Sequence, residues 1–312
     1  VYADATKGWI PLNDDEVTFD HGNPPTQKAI FAYGTTGSYV SMSNLVSSSG
    51  VVAADVTGVG TARAFLAAAP YGGDKAIFGY GHDGSDFSLT NLVSNSGVVS
   101  ADVTGVGSAR YDLTATGYGL DKAIFGFGYL SGTTAITNLV NNSGVVASDT
   151  AGVGSARYGP PAAATYGSTG QAIFGYGYIA GYVSMTNLVS NSGVVASDVS
   201  GVGTARDDLA ATGYGLDKAI FAYGFTGSDV SMSNLVNSSG VVASDVTGVG
   251  TARHGIAAAK YGGDKAIFGY GSTGSVVSLT NLVSNSGVIS SDVSGVGTAR
   301  AYPSAAGFSY TT

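Results

Sequence analysis

The sequence predicts an all-β fold built from six copies of one four-stranded unit, and three observations support this prediction. The string Ala-Ile-Phe recurs six times, at spacings of 47, 47, 49, 47 and 47 residues. With 49 glycines and a single glutamate in 312 residues, the composition excludes helical bundles and coiled coils. The apolar runs are short and rich in Val, Ile, Phe, Tyr and Thr, which is typical of strands. Four short strands repeated every 47 residues or so indicate a six-bladed β-propeller with antiparallel blades.

Each repeat divides into strands a to d at clusters of Gly, Ser, Asn and Asp. Strand a is a Leu-Ala-Ala-Ala stretch, b reads Lys-Ala-Ile-Phe-Gly-Tyr, c reads Val-Ser-Met-Thr-Asn-Leu-Val, and d reads Val-Val-Ala-Ser-Asp-Val. In the second repeat, residues 71–74 and 95–97 suit tight turns between a and b and between c and d. Because blades converge on the axis, we expect strand a, which has the smallest side chains, to be innermost.

The two ends of the repeat array predict how the ring closes. The first repeat lacks a strand a, whereas the chain ends with an unpaired one. We therefore predict that residues 298–310 supply strand a to the blade whose other strands come from residues 27–57, which leaves no open sheet edge. The propeller then covers residues 27–312. Residues 1–26 hold five of the 21 acidic residues and three of the seven prolines, so we predict a linker or docking arm there.

The repeat carries a family resemblance. The run Thr-Ala-Arg, a small apolar strand and then Gly-x-Asp-Lys-Ala-Ile-Phe-Gly-Tyr-Gly resembles the kelch repeat over residues 27–310, although kelch repeats have Gly-Gly where this chain has Gly79-Tyr80-Gly81. The whole unit is more similar to repeats in virion proteins of marine bacteriophages, and residues 6–15 are similar to connecting segments of phage structural proteins. This resemblance implies an extracellular, virion-borne module, such as part of a tail fibre, and implies no activity.

Charge and composition exclude several function classes. A net charge of −8 and a pI near 4.6 argue against binding along a nucleic-acid backbone. No apolar run approaches the roughly 20 residues of a membrane helix, so we expect no membrane insertion. The repeated Gly-Val-Gly lacks the third glycine and the helix of a dinucleotide loop, and His21, His82 and His254 share no ligand spacing. We therefore expect neither cofactor nor metal.

All six arginines occupy one repeat position, and an aspartate precedes each of them by eight residues. A bidentate Arg–carboxylate pair within or between blades would fix the turn into strand a, so we predict a structural role. The alternative is a basic ring that binds an anionic ligand. An asparagine recurs in strand c of every repeat, and we expect its side chain to form hydrogen bonds with backbone groups. The predicted pairs are Asp55 with Arg63, Asp102 with Arg110, Asp149 with Arg157, Asp198 with Arg206, Asp245 with Arg253 and Asp292 with Arg300.

Positions that differ among the repeats are free of the scaffold, and they form two clusters: the b/c loops and the two residues after each arginine. In an up-and-down blade both clusters lie on one face. Rings beside carboxylates suit the recognition of sugar or protein, whereas the alternative is an unselected loop surface. The predicted ligand-binding residues are His82, Asp83, Asp86, Tyr111, Asp112, Tyr129, Tyr178, Tyr182, Asp208, Phe225, Asp229 and His254.

These observations predict a non-enzymatic structural or adhesive module of a phage particle. It would recognise a host-surface glycan or a protein, other virion proteins included, through the variable face. An enzyme would gather unlike titratable groups near one axis, and this chain has only three histidines and one glutamate, so we predict no catalytic residue. The alternatives are a propeller glycan hydrolase or lyase and a cellular kelch-like scaffold for protein interactions.

Overall fold

The computed structural model describes residues 2–4, 8–9 and 27–309. All regular elements in these segments are β-strands. Near the N-terminus, β1 (Tyr2–Asp4) pairs antiparallel with β2 (Gly8–Trp9), and the rest of the predicted arm lies outside the described residues. The described segments contain no helix of the length and apolarity needed to cross a bilayer.

Residues 27–309 form six three-stranded antiparallel sheets whose repeating arrangement is consistent with a six-bladed propeller. The strands at the inner edges are β5 (Ala67–Tyr71), β8 (Thr114–Tyr118), β11 (Ala162–Tyr166), β14 (Ala210–Tyr214), β17 (Ala257–Tyr261) and β20 (Ser304–Phe308). The middle strands are β3 (Lys28–Ala32), β6 (Lys75–Gly79), β9 (Lys122–Gly126), β12 (Gln171–Gly175), β15 (Lys218–Ala222) and β18 (Lys265–Gly269). The third strands are β4 (Ser43–Val46), β7 (Thr90–Val93), β10 (Thr137–Val140), β13 (Thr186–Val189), β16 (Ser233–Val236) and β19 (Thr280–Val283).

The core consists of layers between neighbouring sheets. One such layer packs Tyr71 and Ile77 of one repeat against Ala115 and Phe125 of the next. Each middle strand is therefore covered on both faces, and its Ala-Ile-Phe side chains are fully buried. This burial explains why strand b reads as a continuous apolar run with no polar alternation.

The C-terminal strand completes the sheet of the first repeat. β20 pairs antiparallel with β3, with Ala305 opposite Phe31, and it lies between β17 and β5 in the series of inner strands. Backbone hydrogen bonds also connect each a/b turn to the next repeat, among them Gly262 N to Gln27 O at 2.8 Å and Ser309 N to Asp74 O at 2.7 Å. The predicted pairing of the chain end with the first repeat is thus present, and the Ala-rich strands adjoin one another.

The predicted fourth strand, d, is not a regular ladder strand. Two isolated bridges, and not a continuous ladder, connect it to the third strand in each repeat, such as Val46 with Val52 and Ser43 with Val56 in the first. Three residues of segment d thus face two residues of β4, so the segment bulges between the bridges. Asn44 fills the bulge, because its Nδ2 donates to Ala53 O at 3.0 Å. The blades are therefore three-stranded sheets with a bulged fourth segment, which corrects the prediction of four strands.

We expect deletion of residues 298–312 to lower the melting temperature by more than about 10 °C or to cause aggregation, because it removes β20 and exposes the edge of β3. Thermal unfolding followed by circular dichroism measures the change. A truncation after Ser309, which keeps β20, is the control. Equal melting temperatures for the longer deletion and the control would contradict this role of the chain end.

Candidate functional site

The repeated arginines are fully buried structural groups. In the example of Arg63, Nε donates to Tyr80 O at 2.7 Å, Nη1 to Thr61 O at 2.9 Å and Nη2 to Asn91 Oδ1 at 2.7 Å. The guanidinium carbon lies 4.5 Å from the centre of the Tyr33 ring, which belongs to the preceding repeat. Burial lowers the pKa of all six arginines, and the pKa of Arg157 falls to about 10, which leaves Arg157 charged at neutral pH.

The expected bidentate pair of each aspartate with the arginine eight residues later is not formed in the part of the chain that the structure describes. Asp102 instead accepts hydrogen bonds from Asn91 Nδ2 at 2.8 Å and from Thr61 Oγ1 at 2.7 Å, and Asn91 links it to Arg63. The carboxylate therefore belongs to the network of the arginine in the preceding connection. These hydrogen bonds lower the pKa of Asp102 despite the opposing effect of burial.

The other five repeats use the same carboxylate contacts. Asp55, Asp149, Asp198, Asp245 and Asp292 each accept from a Thr or Ser of the preceding connection and from the strand-c asparagine. Among described residues, a direct approach within 4.0 Å occurs only between Arg253 Nη1 and Asp292 Oδ1, at 3.9 Å. The arginines are thus buried at the junctions between repeats and do not form a basic ring open to a ligand.

The structure joins the two variable clusters on one face, which we call the variable face. Each b/c loop pairs with the residue that follows an arginine, as where Tyr111 N donates to Tyr129 O at 3.3 Å and Tyr129 N donates to Tyr111 O at 2.8 Å. Equivalent bridges connect Tyr158 with Tyr178 and Asp207 with Phe225. Residues far apart in the sequence are therefore fixed side by side by backbone hydrogen bonds.

Nine half-buried rings on this face contact one another in a closed circuit, with centroid separations from 4.3 to 6.3 Å. Six of them belong to the predicted site residues, whereas the rings of Phe65, Tyr158 and Tyr302 do not, although all three lie in the variable positions. His82 extends the circuit through its contact with Tyr111 at 4.9 Å. The circuit runs through Tyr111, Tyr129, Tyr158, Tyr178, Tyr182, Phe225, His254, Tyr302 and Phe65.

The second residue after each arginine lies at the axis. Its backbone adopts the left-handed conformation, with φ between 51° and 66°. Their backbones are connected around the axis, as where Asp112 N donates to Phe65 O at 3.1 Å and Tyr302 N to Gly255 O at 2.7 Å. The cavity inside this rim has a volume of about 80 Å³, and Phe65, Asp208 and Tyr302 are among its lining residues. The inner rim consists of Phe65, Asp112, Gly159, Asp208, Gly255 and Tyr302.

Three aspartates crowd at this rim. Burial, followed by repulsion from Asp208, raises the pKa of Asp207 to about 7, and burial likewise raises the pKa of Asp112 and of Asp208. Tyr302 Oη donates to Asp208 Oδ2 at 3.0 Å, whereas Asp112 Oδ1 and Asp207 Oδ1 accept no hydrogen bond from described residues. Asp207 was absent from the predicted site, although its place directly after Arg206 put it among the variable positions.

The remaining predicted residues lie further from the axis. His82 Nδ1 lies 2.7 Å from Asp86 Oδ1, and His254 Nδ1 lies 2.6 Å from Asp229 Oδ1 in the neighbouring b/c loop. Asp83 is exposed and accepts only from the Ser85 backbone, at 3.2 Å. Within the described segments, no three His, Asp or Glu residues have an arrangement that could hold a metal ion.

No protein-family model matches the sequence, and no curated protein matches it.

We expect Asn91→Leu to lower the free energy of unfolding by about 3 kcal/mol, because Arg63 and Asp102 both lose a buried amide partner. Urea denaturation measures the loss. Asn95→Ala, at an exposed turn, is the matched control and should change stability by less than about 0.5 kcal/mol. Equal effects of the two substitutions would refute the bridging role of Asn91.

We also expect the stability to fall as the pH rises from about 4 to about 7. The folded state holds a proton on Asp207 up to a pKa of about 7, whereas an unfolded aspartate releases it near pH 3.9, so folding is favoured on the acid side of this window. Asp207→Asn should therefore reduce the pH dependence and raise the denaturation midpoint at pH 8. Asp83→Asn is the control, and its stability should change with pH as that of the wild type does. A wild-type pH slope in Asp207→Asn would contradict the assignment.

Proposed function

We propose that the protein is a non-enzymatic binding module whose variable face recognises a neutral or amine-bearing glycan on a host cell surface. The closed circuit of nine half-buried rings is the observation that carries the proposal. Rings stack on the apolar faces of sugars, and carboxylates accept hydrogen bonds from their hydroxyl or amino groups.

The charge of the variable face supports this choice of ligand. Six aspartates lie there, whereas the described cations are elsewhere: the arginines are buried at the junctions, and the lysines are near the a/b turns. An anionic polysaccharide would meet repulsion on such a surface, and nucleic acid would meet the same repulsion. The six aspartates are Asp83, Asp86, Asp112, Asp207, Asp208 and Asp229.

We also propose a complete fold for the chain and a location for the protein. The six sheets would form a closed, kelch-like six-bladed propeller, which supports the variable face as a rigid platform. The resemblance of the repeat to phage virion proteins favours a place on the outside of a virion, at a tail fibre, where other virion proteins are partners. Residues 1–26 would then tether the propeller to its neighbour.

A glycan array with host polysaccharides tests the proposal. We expect Tyr129→Ala, Tyr178→Ala and Phe225→Ala each to weaken binding about tenfold or more, because each removes a ring from the circuit. Leu216→Ala is the matched control, since it truncates an exposed apolar side chain at an a/b turn. Unchanged binding by the three variants would refute the role of the face.

One observation favours a second candidate, a glycan hydrolase or lyase. Asp207, with its pKa of about 7, lies in sequence next to Asp208, which accepts a hydrogen bond from Tyr302, and a carboxyl that keeps its proton near neutral pH can serve as the general acid of a glycosidase beside a second carboxyl. Release of shorter sugars from a bound polysaccharide, lost in Asp207→Asn, would establish this activity. A polysaccharide that stays intact after prolonged incubation with the protein would contradict this activity and favour binding alone.

A further inference from the structure

We propose that the central channel binds a small oxyanion at its a/b-turn end, and that Lys260 is the residue that anchors it. The channel at this end contains a cavity of about 210 Å³ lined by all six inner strands. It lies on the side of the molecule away from the variable face, so the inference is independent of the proposed function.

Lys260 is the single charged residue among six equivalent positions of the inner strands. Each of these positions lies opposite the alanine of Ala-Ile-Phe in its sheet. The residues at the other five positions are small or uncharged, so none of them repeats the amino group of Lys260. They are Pro70, Gly117, Thr165, Gly213 and Gly307.

The repeats on both sides of Lys260 leave space for its side chain. Gly213 precedes it around the ring and Gly307 follows it. A Cβ at Gly213 would lie 3.8 Å from Lys260 Cδ, and a Cβ at Gly307 would lie 3.0 Å from the carbonyl oxygen of Lys260. Larger residues at either position would narrow the channel beside the lysine stem.

The amino group of Lys260 has no partner among described residues, although the amino groups of four other lysines do. Burial lowers the pKa of Lys260, and the more distant carboxylates of Asp264 and Asp217 only partly oppose this effect. The ammonium group of this half-buried side chain has no ion-pair partner, and a bound anion would supply one. The paired lysines are Lys75, Lys122, Lys218 and Lys265, each with the aspartate that precedes it in the sequence.

The rest of the lining suits a small anion. Lys122 and Lys218 also line the cavity, and no carboxylate is among its lining residues in the described part of the chain. The inner strands have no partner strand on the channel side, so their free edges present backbone N–H groups, and C=O groups beside them, to the channel. An ammonium group together with backbone N–H donors can bind phosphate or carboxylate groups.

Isothermal titration calorimetry with inorganic phosphate, in a buffer free of other oxyanions, tests the site on the full chain. We expect saturable binding by the wild type and at least about tenfold weaker binding by Lys260→Gln, which removes the charge and keeps the length. Lys265→Gln, on the same sheet but already paired with Asp264, is the matched control and should bind within about twofold of the wild type.

Two further measurements keep the test decisive. Lys260→Thr copies the residue that the fourth repeat carries at this position, so it should fold with a wild-type circular dichroism spectrum and show the same loss of binding. Acetate, titrated in place of phosphate, separates a phosphate from a carboxylate preference, and binding of either that depends on Lys260 supports the site. Equal affinities of Lys260→Gln and the wild type, or no binding of either anion by the wild type, would overturn the proposal.

Discussion

The buried arginine at each junction between repeats is the interaction on which the rest of the structure depends. A guanidinium group that is fully withdrawn from water is stabilised by hydrogen-bond acceptors placed around it, and an aromatic ring can cover its face. In this chain two carbonyl groups, an asparagine side chain and the ring of the preceding repeat meet that demand around Arg63. These groups come from consecutive repeats, so the junction forms only when the repeats are in the correct relative position.

The same constraint explains the aromatic residue and the glycine that follow each middle strand, which are Tyr-Gly in five repeats and Phe-Gly in the third. Tyr80 has a φ of 65° and Gly81 a φ of 103°, which turns the chain sharply and places the Tyr80 ring 4.2 Å from the guanidinium carbon of Arg110. A Cβ at Gly81 would lie 2.8 Å from the carbonyl oxygen of Ala64, so only glycine fits there. The positive φ of the tyrosine costs about 1–2 kcal/mol, and the contact with the arginine offsets this cost.

The sequence was sufficient to predict the strands a to c, the pairing of the chain end with the first repeat and the sharing of one face by the variable clusters. These features follow from spacing and residue size, which repeat six times. The bulge in segment d was missed, because three residues facing two, with Asn44 between them, depend on how side chains fill the ladder. The aspartate partner of each arginine was misassigned for a related reason, because it also depends on side-chain contacts. The spacing of eight residues suggested that Asp102 pairs with Arg110, whereas Asp102 joins the network of Arg63 through Asn91.

The inner rim gives a physical argument that the variable face is more than an unselected loop surface. All six rim positions adopt a positive φ, and glycine occupies two of them without strain, at Gly159 and Gly255. Phe65 and Tyr302 occupy the same conformation at a cost of about 1–2 kcal/mol each, although glycine is compatible with the position. Strain of this kind persists where the surroundings enforce it and is concentrated at functional sites. At this rim the strained conformation places two rings, with centroids 4.3 Å apart, over the axis beside the carboxylate of Asp208. The axis is the part of the face where a ligand would contact several repeats at once.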